Sequence, residues 1–170
     1  MNLVTALALV IGALGAVATW LFVGPLAGLG LSIWAAFIAW GCFYHSGGGE
    51  AGLKTTIIGA VWGAVMATVA LVLMPIIGMG AVGAGIAVGA TVAILIMGAH
   101  VPLLSAIPPA VYGYASTAAF ALMKSGADAT STDITVSPLM NVVASMVIGA
   151  LFGFVSEKIA VSLTSRAAAA

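Results

Sequence analysis

Charge is almost missing from this chain. Four Lys and Arg and four Asp and Glu are spread over 170 residues, 5% in all, with a formal net charge of +0. A typical soluble domain is about 25% charged, and so few ionisable groups cannot make the polar shell of a water-soluble monomer. They also cannot neutralise a row of phosphates, so nucleic acid is not a partner. Cysteine is nearly missing too. The single Cys42 excludes an internal disulfide framework, and its apolar surroundings fit a small buried side chain. Catalytic patterns are missing as well. No nucleophile–base pair and no HxxxH or ExxH pair occurs, and Gly47-Gly48-Gly49 lacks the Lys-Ser/Thr of a phosphate loop. No catalytic residue, metal site or cofactor is expected, and the chain does not read as an enzyme.

What is there is apolar surface. Hydrophobic types make up 64% of the residues, and mean hydropathy is +1.31. Disorder has the opposite signature. The apolar runs are long and unbroken rather than alternating, so the chain reads as transmembrane helix and not as a β-barrel. The expected fold is all-α: a polytopic transmembrane helix bundle of about six spans, with the lipid bilayer as its solvent. Six runs can be marked: Leu3 to Val23, Leu26 to Phe43, Thr55 to Leu73, Met79 to Met97, Pro102 to Met123, and Pro138 to Val155. Only Gly98-Ala99-His100-Val101 separates the fourth from the fifth, so five spans is the alternative. Residues 1–157 make a single transmembrane domain, and 158–170 a short C-terminal tail. The N-terminus has no basic n-region and no clear cleavage site, so the first run is expected to be retained. Lys54, Lys158 and Arg166 fall on one side and Lys124 on the other, which puts both termini in the cytoplasm by the positive-inside rule.

Glycine sits inside these helices. In lipid, close backbone contact replaces the hydrophobic drive between helices, and small residues permit it. Gly59 and Gly63, Gly85 and Gly89, and Gly149 and Gly153 all have GxxxG spacing. They predict tight packing within or between protomers, with a homo-oligomer (a trimer or larger ring) as the expected assembly. The run Ile57-Ile58-Gly59-Ala60-Val61-Trp62-Gly63 echoes Val147-Ile148-Gly149-Ala150-Leu151-Phe152-Gly153. Two readings stand: a weak 3+3 inverted repeat, as in many transporters, or the shared composition of Gly/Ala-rich helices.

Polar groups at membrane depth carry most functional information. Ser105, Pro109, Tyr112 and Ser116 fall on one helical face. Pro108 and Pro109 inside a span would free carbonyls near Leu104 and Ser105. These are pore or solute-binding candidates, with a packing kink as the alternative. Asn141 and Ser145 share a face of the last span, either lining a pore or making an interhelical hydrogen bond. Thr5, Gly12 and Thr19 form a milder stripe. His45, Glu50 and His100 lie at helix ends on the expected cytoplasmic side, as proton or gate residues or as plain interfacial groups, with Glu50 paired to Lys54. Trp20, Trp34, Trp40 and Tyr44 read as interface anchors.

The stretch from Trp34 to Val72, with Gly48-Gly49 and Gly52-Leu53-Lys54 opening the third span, resembles the YcdZ-like family of small bacterial inner-membrane proteins. Leu103-Leu104-Ser105-Ala106-Ile107-Pro108 is similar to a Leu-Leu-Ser-x-x-Pro segment of that family, and Pro109 departs from its pattern. The resemblance implies the bacterial inner membrane and a domain of unknown function. The leading functional expectation is a channel or permease for a small, mostly neutral solute: a urea-like amide, a weak acid or base in neutral form, or a gas. The rival is a non-transporting scaffold or regulatory subunit of a larger complex.

Overall fold

In the computed structural model residues 2–168 are described, with side chains through 164. Among them are six α-helices and no strands. They are α1 (Leu3–Val23), α2 (Ile33–His45), α3 (Gly49–Ile77), α4 (Gly80–Met97), α5 (Ile107–Met123) and α6 (Pro138–Ala168). Met1, Ala169, Ala170 and the side chain of Arg166 fall outside the described set, so Arg166 adds nothing structural to the orientation count.

The helix limits follow local chemistry. Asn2 caps α1, accepting the Thr5 N–H at 2.8 Å, and the Gly24-Pro25 pair ends it. Gly47, Gly48 and Gly49 all have positive φ, a run that only glycine adopts without strain. Their role is structural. The Gly49 N–H donates to Glu157 Oε2 at 2.7 Å, so a carboxylate from α6 sits on the positive N-terminus of α3. A Cβ on Gly48 would strike that carboxylate.

Four helices are long and apolar enough to cross a membrane: α1, α3, α4 and α6. The other two differ from the sequence expectation. Run two was expected to start at Leu26, but a 3-10 turn occupies Ala27–Leu29 and α2 has only 13 residues. Its rise is about 20 Å, against a hydrocarbon core of about 30 Å. Run five was expected from Pro102, but Pro102–Leu104 is a separate 3-10 turn and α5 has 17 residues. At its other extreme, α3 runs through Pro75 to Ile77, and α6 continues well beyond Val155.

The closest helix pairs are α3 with α5 and α2 with α6, followed by α3 with α4 and α3 with α6, then α1 with α6. Exchanging the first three helices for the last three maps α3–α5 onto α6–α2, and α3–α4 onto α6–α1. The helix pairing is thus symmetric under exchange of the two halves, as in a 3+3 repeat. The echoed segments occupy equivalent places. Gly59 and Gly63 receive α5 at Pro109, Ala110 and Tyr114, while Gly149 and Gly153 receive α2 at Ala36 and Phe43. Gly113 of α5 in turn meets the backbone of Ala60.

Gly85 and Gly89 have no close partner among the described residues of the protomer, so of the two expected roles only packing between protomers is open to them. Both are exposed, with open space where a Cβ would stand. The contact face of α4 is instead Gly83, Ala87, Thr91 and Leu95. Three of the expected interface anchors make contacts inside the protomer. Trp40 is buried, donates from Nε1 to Ser156 Oγ at 3.0 Å and lies against Phe152. Tyr44 meets the same serine hydroxyl at 2.7 Å, and Trp34 packs on the core around Ala35, Val142 and Met146. Trp20, 63% exposed, keeps the outward position.

Candidate solute path between α2 and α5

The two short helices are equivalent under the repeat, and they touch each other only lightly. A pair of unusually short segments at corresponding places in two halves marks where such folds build a site. Three recesses follow the α2–α5 line. At one end a cavity of about 190 Å³ is lined by His45, Ser46, Thr55, Ala106, Pro108 and Pro109. Midway, an open groove of about 280 Å³ is lined by Trp34, Ile38, Tyr112, Ala115, Ser116 and Ala119, with Ile38 and Ala115 on its exposed rim. At the other end about 250 Å³ lies between residues 30–34 and Phe120, Met123 and Lys124. Trp34 borders the second and third. Tyr112 joins the second to the first, its hydroxyl 3.1 Å from His45 Nδ1.

The sequence candidates separate into two groups. Tyr112, Ser116, Pro108, Pro109 and His45 all lie on this line. Tyr112 is half-buried; Ser116 is 1% exposed, and its Oγ has no hydrogen-bond partner. Ser105 is exposed, ahead of the helix, and donates to Pro102 O at 2.9 Å. The expected kink with freed carbonyls does not form. Pro108 and Pro109 stand in the first turn of α5, where a missing N–H removes no helical bond.

Asn141 and Ser145 are fully buried and bond to Ser32 and Gly30, which line the third recess. Ser32 Oγ donates to Asn141 Oδ1 at 2.8 Å, and the Ser32 N–H donates to Ser145 Oγ at 2.9 Å. The Asn141 amide donates to Gly30 O and Ile134 O, both at 2.9 Å. These bonds tie α6 to the segment before α2, which is the interhelical alternative for this pair.

His45, Glu50 and His100 are all exposed and do not gather; among the described residues no three metal-ligating groups cluster. Glu50 and Lys54 border one shallow recess, and no ion pair joins them. Outside the spans, residues 124–137 fold over the Lys124 end. There the Thr130 hydroxyl and N–H hold the Asp128 carboxyl below its ordinary range, and the Thr135 N–H and hydroxyl do the same for Asp133. The half of the path contributed by α2, Trp34 and Ile38, was not singled out as a site in the sequence. The signal that could have found it is the shortness of run two once Gly28 and Gly30 are read as a break.

No curated protein and no solved structure matches the chain. A family model does match, over residues 8–161, which is most of its length. The chain belongs to the family described as "Protein of unknown function (DUF1097)".

Proposed function

We propose that this protein is a membrane channel or permease for a small, mostly neutral solute, and that the solute moves between α2 and α5. The observation that carries the reading is the line of three recesses between the two short, repeat-related helices. Its lining suits an uncharged solute: hydroxyls, one imidazole and aromatic rings, with Lys124 as the only charge and that at the mouth. A buried charge would bind an ion but is costly at membrane depth. The bacterial inner membrane, the YcdZ-like kinship and a trimer or larger ring go with this proposal. So do cytoplasmic termini, supported by Lys54 and Lys158 against Lys124.

The test is a liposome flux screen across urea, formamide, acetic acid and ammonia. Tyr112→Phe removes the hydroxyl that bridges α5 to His45 across the path. Losing about one net hydrogen bond is expected to loosen that constriction and raise flux roughly fivefold, with yield and detergent elution unchanged. Wild-type liposomes no leakier than empty ones would favour the scaffold reading, which draws on the use of Asn141 and Ser145, the strongest buried polar groups, purely for packing.

Topology has its own measurement. Single cysteines at Ser131 and Ser162, in a Cys42→Ala background, should be labelled by impermeant maleimide from opposite faces. Labelling of both from one face would remove the six-span arrangement.

A further inference from the structure

Ser116 stands apart from the other buried hydroxyls. A serine or threonine in a membrane helix ordinarily bonds back to a carbonyl one turn earlier. Thr68, Thr91, Thr117 and Ser156 all do so, at 2.7–2.9 Å. Ser116 does not, although it is 1% exposed, and it borders the middle groove. An unpaired buried hydroxyl destabilises the fold, and an occupant able to hydrogen-bond removes that cost.

The rest of the groove restricts that occupant. Trp34 and Tyr112 present aromatic rings, and Ile38, Ala115 and Ala119 present aliphatic surface. Nothing in the lining is charged, so an ion would enter without a counter-charge. An apolar gas would leave Ser116 unpaired. A molecule with a hydrogen-bonding edge and a flat face matches both features: the edge meets the hydroxyl, which can donate and accept and which a turn about its Cα–Cβ bond brings from its buried position to the recess, and the face lies against the rings.

We propose that the Trp34–Tyr112–Ser116 groove is a binding subsite for a small neutral amide or urea. This rests on the transport reading for its setting, but it makes a separate claim about binding. Acrylamide tests it directly, because it is itself a small flat amide and it quenches tryptophan. The full-length protein in liposomes is titrated with acrylamide, and the quenching lost in Trp34→Phe is assigned to Trp34. That component should saturate, and acetamide should compete for it. Ser116→Ala should weaken it about fivefold, the worth of roughly one net hydrogen bond. Ser116→Val, which fills the groove, should abolish it, with unchanged helical circular dichroism as the folding control.

A Trp34 component that is linear, insensitive to acetamide and unchanged in Ser116→Ala overturns the subsite, as does a Trp34 shielded by lipid and not quenched at all. Flux is measured on the same liposomes. Flux without saturable quenching leaves transport standing and removes this subsite. Saturable, Ser116-dependent quenching without flux of any amide keeps the subsite and removes the transport reading.

Discussion

Gly63→Leu is expected to prevent the chain from forming a stable bundle. A Cβ there would enter the space of Ala110 O and lie 2.6 Å from Tyr114 N. Both are backbone atoms of α5, which cannot swing aside as a side-chain end can. The whole of α5 must therefore back away from α3, the most extensively packed pair in the fold. Overpacking a tight core costs about 1–3 kcal/mol, and a backbone collision along this seam belongs at or above the top of that range. Gly149→Leu should behave alike, because its Cβ would meet Ala36 O across the equivalent α6–α2 seam. The measurement is monomeric yield in detergent and the thermal midpoint of unfolding. Gly85→Leu and Gly89→Leu are the controls, since both positions open outward. They should leave the protomer intact. If α4 supplies an oligomer contact, they should reduce only the mass of the assembly. A Gly63→Leu protein as stable as wild type would mean that α3 and α5 do not meet as described.

Asn141→Leu should also act on folding, and more strongly than on any solute. The amide accepts from Ser32 Oγ and donates to Gly30 O and Ile134 O. Leucine has similar bulk but leaves those three groups without a partner, the Ser32 hydroxyl in a buried place and the two carbonyls in part-buried ones. The expected loss is about 2 kcal/mol, since each stranded buried polar group costs about 1–3 kcal/mol while partners re-formed within the membrane offset part of it. The residues before α2 should loosen first, because Asn141 holds them at Gly30 and Ser32. Thermal unfolding in detergent reads the first effect, and proteolysis between residues 24 and 32 reads the second. A stable Asn141→Leu protein with reduced flux alone would return Asn141 to the path.

Much of this architecture is present in the sequence. The near absence of charge and the apolar runs require lipid. The limits of α1 were readable to the residue because Gly24-Pro25 stops a helix by local chemistry alone. The echo between Ile57–Gly63 and Val147–Gly153 located two of the seams, because glycine at i and i+4 creates a groove on its own helix. Tyr112 and Ser116 were singled out by a similarly local signal, the recurrence of Ser105, Pro109, Tyr112 and Ser116 at helical spacing.

Tertiary structure decided what those local signals could not. Glycine spacing is the same at Gly59, Gly85 and Gly149, but only the first and last meet another backbone in the protomer. Whether a groove is filled depends on a distant helix. The proline pair has the same covalent effect in any context, but its consequence depends on where α5 begins, and a first-turn position removes the kink. Asn141 and Ser145 look like pore groups until Ser32, more than a hundred residues earlier in the chain, takes up their bonds. Trp34 joins the candidate path for the same reason. Its hydrophobicity fixes that it leaves water, while the repeat-related pairing of α2 with α5 fixes what it faces.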